Sequence, residues 1–513
     1  MGGGSPEAPS TDPTPGNDSQ DVLSTPPSSS NHPSSNQGKS SSAPGRFTDP
    51  ASAPWLLPTS HLPWYLGMEY GEADLLYGAD GRLRGGSLPA LVEILTQHTS
   101  LDTAFNQSFL LTYRAVVSST EFIRQLIRRF SLAPPPGLSP QELTEWSLHK
   151  QGIIRLRVFN ILRLWVETYC IPEVDTEAMD LLRSSGNQGG SAASTTLLTL
   201  LDRVKDPLAG AATTSGVRPM VLNISTQSPA PILPRNLQGL RIVEVDPLEL
   251  ARQLTLLDAA AFVRISYNDF LDRARSSRHR AAAQEKDSSS SDASFAGMGR
   301  QLTGMIDSTN QLTHFIIAMI LGEEEIRWRC TVIKHFILVA ERCRQLNNYN
   351  SLMAILAAFS SAPIHRLKRT WEFVTGKAVI TLDNLKKLMN PSRNYAEYMQ
   401  VLHSVNPPCV PFPGVFMQHL AFIDYGNDDY ITDHPGLINV YKMLQRAQVV
   451  REIQLFQSVP YALCPVPEIQ ALLKEGMKLR MDETAAFERS TLLEPKERDD
   501  EKIARLLHES GFL

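Results

Sequence analysis

The sequence predicts an all-α protein with two helical domains. Apolar residues recur at helical spacing in both halves of the chain. Alternation typical of strands is almost absent, and RIVEV at 241–245 is the one short candidate strand. Of the 513 residues, 42% are hydrophobic and 20% are charged, which is typical of a globular protein with a large core.

The helical stripes are clearest at four places along the chain. The first two stripes are Leu88, Leu91, Val92 and Leu95, and Val158, Ile161, Leu162 and Trp165. The second two are Ile333, Phe336, Ile337 and Ala340, and Leu352, Ile355, Leu356 and Phe359. Ser87 is a natural N-cap for the first helix, and Pro363 should end the last one.

Shifts in composition divide the chain into segments. Residues 1–60 are rich in Pro and Ser, and we expect a disordered tail, which either is simply solvated or carries phosphorylation or domain-binding sites. The remaining segments are a helical block at 64–206, a linker at 207–236, a second helical block at 237–500 with a polar insertion at 275–300, and a C-terminal tail at 501–513.

Charge and composition exclude several functional classes. The formal net charge is −5, so no basic excess favours nucleic acid as a partner. No apolar run approaches the ~20 residues of a membrane span, and neither a signal peptide nor a lipid anchor is visible at the termini. The five scattered cysteines suit a reducing, cytoplasmic compartment.

The sequence lacks the motifs of covalent chemistry. It has no phosphate-binding loop, no zinc helix and no nucleophile elbow, and GADGRLRGG at 78–86 is interpreted as a turn. The acidic run from Asp424 to Asp433 places Gly426 and Pro435 where a calcium loop needs oxygen ligands. His365 is interpreted as a structural or partner-facing residue. We therefore expect no metal, no cofactor and a protein that works by binding.

Several motifs, in order, resemble those of the Ras-family guanine-nucleotide exchange factors, a group that includes Son of sevenless and the fungal Ras activators. In the second block they are DPLELARQLTLLDAAAF (246–262), NQLTHFIIAMIL (310–321), RCTVIKHFILVAERCRQLNNYNSLMAILAAFSSAPIHRLKRTW (329–371) and SRNYAEYMQVLHSVNPPCVPFPG (392–414). The first block is similar to the exchanger motif domain through DGRLRGGSLPALVEILT (80–96), FNQSFLLTYR (105–114) and IRLRVFNILRLWVETY (154–169). The resemblance covers about residues 64–497.

The resemblance implies that the chain promotes GDP release and GTP loading on a Ras-like small GTPase. It implies a cytoplasmic protein that is recruited peripherally to the membranes carrying the GTPase, with the N-terminal tail as a candidate for adaptor or kinase contacts. The alternative is a helical scaffold that binds a Ras-like GTPase with little exchange activity. Fluorescent-nucleotide release separates the two.

The resemblance also implies two working surfaces. One is a pocket for the switch II region of the GTPase, formed by Ile306, Met353, Tyr395 and Phe412. The other is a protruding helical hairpin at 415–456, with helices at about 415–424 and 434–456, which would displace switch I. Its implied residues are Leu420, Ala421, Asp424, Tyr425, Gly426 and Asn427. We expect the first block to brace this hairpin.

A third group of residues matches the family and is interpreted as partner-facing or structural. It comprises Asn310, Thr313, Arg329, Asn347, Asn348, Asn350, Ser360 and Arg366. For the second arm of the hairpin we expect an apolar stripe of Leu437, Tyr441 and Leu444.

The hairpin departs from its relatives at two positions. Tyr425 stands where relatives commonly carry a glutamate that enters the nucleotide phosphate site, and a phenol brings no negative charge at pH 7. Ala421 stands where Son of sevenless has a large aliphatic residue. We expect Asp424, beside Tyr425, to leave negative charge near the tip. These departures motivate the scaffold alternative.

Overall fold

The computed structural model describes residues 62–189, 192–205, 228–236, 239–284, 299–479, 481–495 and 507, and most of them are helical. The first half contains strands β1 (Leu75–Tyr77) and β2 (Leu83–Gly86) and helices α1 (Leu88–Leu95), α2 (Thr103–Thr112), α3 (Ser119–Phe130), α4 (Pro140–Trp146), α5 (Gly152–Leu164), α6 (Thr176–Gly189) and α7 (Ala192–Lys205). A π turn, Ser147–Gln151, joins α4 to α5, and a second, Trp165–Tyr169, follows α5.

The second half is helical apart from one short strand. It contains α8 (Pro247–Phe262), α9 (Tyr267–Gln284), α10 (Arg300–Gly322), α11 (Ile326–Gln345), α12 (Tyr349–Ser360), α13 (Ala362–His365), α14 (Lys368–Glu372), α15 (Lys377–Leu388), α16 (Ser392–Leu402), α17 (Pro413–Gly426), β3 (Ile438–Asn439), α18 (Val440–Gln457), α19 (Pro467–Gly476) and α20 (Glu483–Leu493). The all-α prediction is confirmed.

Two hydrophobic cores account for the two halves of the sequence pattern. In the first core, the predicted stripes of α1 and α5 are almost wholly buried. Ser87 precedes α1 as predicted, but its hydroxyl donates a hydrogen bond to Asp74 Oδ1 at 2.8 Å and does not cap the helix. In the second core, the predicted stripes of α11 and α12 are buried. Pro363 lies in the next helix, α13, after α12 has ended at Ser360.

Helix α18 belongs to both cores, because two of its faces are apolar. Val440, Met443, Ala447 and Val450 are buried in the first core, whereas Val449, Ile453 and Phe456 are buried in the second. One helix therefore joins the two cores along its length.

The hairpin formed by α17 and α18 differs from its predicted boundaries. The second arm begins at Val440 and not at 434, so residues 427–439 form a longer tip segment than expected. The predicted stripe on this arm is wrong, because Tyr441 and Leu444 are exposed and Leu437 lies in the tip segment. The stripe buried in the first core is instead Val440, Met443, Ala447 and Val450, on a different face of the helix.

A small antiparallel sheet ties the tip segment to the first half of the chain. β2 pairs with β1 on one side and with β3 on the other, with Gly85 opposite Asn439 and Gly86 opposite Ile438. A Cβ at Gly85 would lie 2.8 Å from Ile431 of the tip segment, so only glycine permits this approach. The glycine-rich 78–86 segment is therefore partly strand and not only a turn.

Other sequence expectations have mixed outcomes. RIVEV is not a strand, because Ile242–Glu244 forms one 3-10 turn that buries Ile242 and leaves Val245 buried beside it. Helix α9 continues to Gln284, so the predicted insertion begins as helix, and residues 285–298 lie outside the described residues. Residues 228–236 of the predicted linker contain no helix or strand. The rest of that linker and both predicted tails, apart from residue 507, lie outside the described residues. None of the described helices is long and apolar enough to cross a membrane.

Candidate functional site

An aromatic cluster lies at the start of α17. The ring centroids of Phe412 and Tyr395 are 6.1 Å apart, and the backbone N–H of Phe412 donates a hydrogen bond to the hydroxyl oxygen of Tyr398 at 2.9 Å. Tyr398 is buried and packs on Tyr349 with ring centroids 5.0 Å apart. Phe412 and Tyr395 are only partly buried. The cluster therefore leaves Phe412 and Tyr395 partly exposed beside the buried Tyr398.

The local backbone explains how this cluster is placed. A Cβ at Gly414 would lie 2.5 Å from the Phe412 ring, so a glycine is required for the ring to fold back over the helix start. Three successive residues that open α16, Arg393, Asn394 and Tyr395, have φ values of 53°, 57° and 56°. Left-handed backbone costs non-glycine residues roughly 1–2 kcal/mol each, so surrounding contacts must hold this turn. One contact is the hydrogen bond from Gln418 Nε2 to Asn394 Oδ1 at 3.3 Å.

Ile306 and Met353, the other predicted pocket residues, lie on the packed pair α10 and α12. Both are partly buried against the second core, like Phe412 and Tyr395. The two helices are joined by a hydrogen bond from Thr309 Oγ1 to Asn350 Oδ1 at 3.1 Å. All four predicted pocket residues thus combine core contact with exposed surface, as an interface anchor requires.

Residues of the third group form the supports beneath this surface. Asn348 and Asn350 both donate hydrogen bonds to the buried Asp258, at 3.0 and 3.1 Å, and Asn348 Oδ1 caps α12 by accepting from Ser351 N. Burial raises the pKa of Asp258, and hydrogen bonds from Ser351, Asn348 and Asn350 act against that rise. These contacts fix α8 against the start of α12.

The two predicted arginines attach α20 to the second core. Buried Arg329 donates to Thr370 Oγ1 at 3.0 Å and lies 3.6 Å from Glu494 Oε1. Arg366 donates to the carbonyl oxygens of Ser490 and Glu494 at 2.6 and 2.8 Å. Both arginines are structural in these contacts.

The remaining members of the group are divided between the interior and the surface. Thr313 Oγ1 donates to the carbonyl oxygen of Ala354 at 3.1 Å. Asn347 adopts a left-handed φ of 56° at the turn before α12. Asn310 and Ser360 are exposed, so they can meet a partner.

The predicted hairpin residues lie on opposite faces of α17. Leu420 is fully buried in the second core, and the Asp424 side chain is buried between the arms. Neither side chain can therefore contact a partner protein. Ala421 is partly exposed, Tyr425 is 57% exposed and Gly426 is exposed. Asn427 ends the helix and donates from Nδ2 to the carbonyl oxygen of Ile423 at 3.2 Å.

Asp424 belongs to a cluster of four charged side chains, which we call the tip ion cluster: the buried Asp424, Lys442 and Arg446, and the partly exposed Asp429. Asp424 Oδ1 accepts a hydrogen bond from Arg446 Nε at 2.8 Å and lies 2.5 Å from Arg446 Nη2. Lys442 Nζ lies 2.8 Å from Asp429 Oδ1. Burial lowers the pKa of Lys442, while Asp429 opposes that effect. The expectation that Asp424 leaves negative charge at the tip is therefore wrong, because its charge is paired inside.

The first half of the chain contacts the hairpin at its second arm and its tip. Arg451 of α18 donates to the carbonyl oxygen of Ala104 at 2.9 Å. Tyr430 of the tip donates to the carbonyl oxygen of Val116 at 3.1 Å. The Arg84 guanidinium lies 5.1 Å from the centroid of the Tyr441 ring. These contacts, with the shared core and sheet, hold the hairpin from the side of the first half.

Sequence reasoning missed Phe422, which is 51% exposed on the outward face of α17. With Gln418, Ala421 and Tyr425 it forms a stripe at helical spacing that faces away from the core. That spacing is visible in the sequence, but nothing in the sequence marks the stripe as outward. The tip ion cluster was also missed, although Lys442 and Arg446, four residues apart among apolar neighbours, were its signal.

Together these features are a half-buried aromatic cluster at the start of α17 and an exposed face with Phe422 and Tyr425 towards its end. The protein-family comparison matches a RasGEF N-terminal motif at residues 82–184 and a RasGEF domain at residues 249–444. The chain therefore belongs to the RasGEF family.

Three relatives illustrate the likeness. Cell division control protein 25 of Candida albicans is 36% identical over 447 residues, which cover 86% of this chain and 32% of that protein. The protein of the same name in Saccharomyces cerevisiae is 30% identical, over 85% of this chain and 28% of that protein. Ras guanine nucleotide exchange factor efc25 of Schizosaccharomyces pombe is 29% identical, over 82% of this chain and 40% of that protein. The chain spans about a third of the length of the curated relatives it matches.

Proposed function

We propose that this chain is a guanine-nucleotide exchange factor that promotes GDP release and GTP loading on a Ras-like small GTPase. The observation that carries the proposal is the α17–α18 hairpin, whose outward face displays Phe422 and Tyr425 while the shared α18 is fixed in two cores. The RasGEF match over both halves of the chain supports the same function.

The spacing of the two surfaces suits a single partner of ordinary domain size. Phe412 and Tyr425 lie at opposite ends of α17, and 13 residues of helix span about 20 Å. A small domain is roughly 30 Å across, so one GTPase can contact the pocket and the tip together. In our proposal Phe412, Tyr395, Ile306 and Met353 hold switch II, and the α17 tip displaces switch I.

Such a mechanism needs no covalent chemistry. A protein accelerates nucleotide release by binding the nucleotide-free conformation of the GTPase better than the loaded one. Moving the equilibrium from 1:99 to 99:1 needs a bias of about ten-thousandfold, or about 5.5 kcal/mol of differential binding. If the hairpin deformed on contact with the GTPase, the differential binding free energy would be smaller. The mechanism therefore requires a rigid brace for the hairpin. We assign that role to the 64–206 block.

The location of such activity follows from its partner. A Ras-like GTPase works at membranes, so we propose peripheral recruitment of a cytoplasmic protein, with residues 1–60 as the segment for adaptor or kinase contacts. The Pro- and Ser-rich composition of that segment supports this role.

The second candidate is a scaffold that binds a Ras-like GTPase with little exchange. It is favoured by Tyr425 and Ala421, which replace a carboxylate and a large aliphatic residue of relatives. Under this alternative the predicted pocket binds switch II, but the hairpin tip does not displace switch I.

One experiment distinguishes the two candidates. Ras, Rap, Ral and Rho-type GTPases are loaded with a fluorescent GDP analogue, and release is followed with increasing full-length chain. Exchange activity predicts saturable acceleration on at least one GTPase, strongly reduced by Phe412→Ala and unchanged by Glu475→Gln, a control in an exposed ion pair. A scaffold instead forms a complex with nucleotide-free GTPase and leaves release at its intrinsic rate.

A further inference from the structure

The tip ion cluster connects three successive parts of the hairpin. Asp424 comes from the last turn of α17, Asp429 from the tip segment, and Lys442 and Arg446 from the first two turns of α18. Arg446 Nη2 reaches both carboxylates, at 2.5 Å from Asp424 and 3.3 Å from Asp429. Lys442 likewise lies 3.6 Å from Asp424 and 2.8 Å from Asp429. Two acids and two bases thus neutralise each other where the arms meet.

The backbone around the cluster is fixed by the same residues. Lys442 Nζ donates to the carbonyl oxygen of Asp424 at 3.5 Å, so the residue before Tyr425 is held by its main chain and its side chain. Asn439 donates from its backbone N–H to the carbonyl oxygen of Asp429 and from Nδ2 to that of Asp428, both at 2.9 Å. The tip segment is therefore tied to both arms.

A cluster of this kind is an inefficient way to gain stability. Removing two such charges from water costs several kcal/mol per ion, and well-packed apolar residues often serve as well or better. Directed hydrogen bonds, unlike apolar contacts, specify one geometry. Three of these charges, Asp424, Lys442 and Arg446, are buried under an exposed tip, which indicates a requirement for position.

We propose that the tip ion cluster is a positioning device for nucleotide release, in which Asp424 and Arg446 fix the orientation of the exposed Phe422–Tyr425 face. The cluster touches neither the GTPase nor the nucleotide; it acts through the two aromatic residues next to it. This inference rests on the proposed exchange function. It adds to that function residues that contact neither of the molecules taking part in exchange.

The test uses the full chain and four variants: Asp424→Asn, Arg446→Met, the apolar double variant Asp424→Leu with Arg446→Leu, and Glu475→Gln as an exposed control. The double variant removes one acid and one base and leaves Lys442 paired with Asp429, so the charge inside stays balanced. Three quantities are measured for each: thermal midpoint, exchange rate at saturating chain on a fluorescent-GDP-loaded Ras-like GTPase, and the chain concentration giving half that rate. Amide hydrogen exchange of residues 427–439 reports the tip directly.

Positioning predicts a specific split between these readouts. Asp424→Asn and Arg446→Met lower the saturating exchange rate by about tenfold or more, whereas the half-saturating concentration, which the Phe412 pocket sets, changes by less than about threefold. The apolar double variant regains the thermal midpoint of the wild type and still exchanges slowly, with faster amide exchange in 427–439.

Two outcomes overturn the inference. In one, the double variant regains stability and exchange together, which shows that the cluster only stabilises the fold. In the other, the single variants exchange at the wild-type rate while remaining folded. A wild type that releases no nucleotide from any tested GTPase is a different result, since it contradicts the exchange function and is recognised before the variants are compared.

Discussion

The guanidinium of Arg451 on α18 donates a hydrogen bond to the carbonyl oxygen of Ala104 on α2, 347 residues earlier in the chain. This contact lies beside the buried stripe of α18 that completes the first core. The second arm of the hairpin is therefore an integral part of the first core and does not depend on α17 alone.

Met443 and its neighbour Leu444 test this integration as a matched pair. Met443 is 2% exposed in the first core and Leu444 is 38% exposed. Met443→Ala should lower the free energy of unfolding by about 2–4 kcal/mol, because it leaves a cavity between the halves. Leu444→Ala should change it by less than about 0.5 kcal/mol. Urea unfolding measures both, and equal effects would contradict a role of α18 in the first core.

Phe412→Ala should weaken binding of nucleotide-free GTPase by roughly 2–4 kcal/mol, the range of an aromatic interface anchor. Folding should survive, because the ring is only partly buried. Phe416→Ala is the control, since Phe416 is fully buried and its loss should cost about 3–5 kcal/mol of stability. Titration calorimetry and circular dichroism separate the effects. If Phe412→Ala lost as much stability as is expected for Phe416→Ala, Phe412 would be a core residue.

Tyr425→Glu tests whether the tip works by bulk or by charge. A phenol and a glutamate reach comparable distances, so a steric wedge predicts a change in exchange rate below about threefold, or about 0.65 kcal/mol. Since Asp424 is paired inside, the new carboxylate would be the only acidic side chain that the outward α17 stripe of Gln418, Ala421, Phe422 and Tyr425 presents. A gain near tenfold, absent in the uncharged Tyr425→Gln, would show that charge at the phosphate site matters.

Glu452 on α18 should make stability depend on pH. Burial raises the pKa of its carboxyl to about 7, and its Oε1 lies 3.5 Å from His403 Nε2, whose own pKa burial lowers. Between about pH 4.5 and 7 the folded chain holds a proton on Glu452 that the unfolded chain releases, so this group's contribution to stability falls as pH rises.

Glu452→Gln removes that dependence. At pH 8 the variant should be more stable than the wild type by about 1–3 kcal/mol, and at pH 5 the difference should nearly vanish. Exposed Glu475→Gln should shift stability equally at both values. A Glu452→Gln difference that is the same at pH 5 and pH 8 would contradict the raised pKa.

The helices and the cores could be predicted from the sequence, because a stripe such as Leu352–Phe359 depends on local spacing alone. Which faces of α18 are buried could not be predicted in this way. That helix has two buried faces, so no single stripe stands out, and the spacing of Tyr441 and Leu444 resembles a stripe although Met443 is the buried residue. The short strands were missed because two to four residues contain too little alternation to be recognised, and β3 forms only by pairing with β2.

Site prediction was limited by orientation. Resemblance selected Asp424 and Tyr425 together, but adjacent residues on a helix point about 100° apart, and here one is buried and the other exposed. Only the fold shows that Asp424 contacts Arg446, because the two residues lie on different helices that are separated by a tip segment of thirteen residues. The outward position of Phe422 is likewise shown only by the fold.

The most direct test of the account is the exchange rate of the double variant Phe422→Ala with Tyr425→Ala, measured by fluorescent-GDP release at saturating chain. Both side chains are about half exposed, so folding should be retained. We predict a saturating rate lower by about a hundredfold, since misplacing or removing groups at the site of displacement has effects of that order. Affinity for the nucleotide-free GTPase, held through Phe412, should fall by less than about tenfold. A folded double variant that releases nucleotide at the wild-type rate would contradict displacement by this hairpin face.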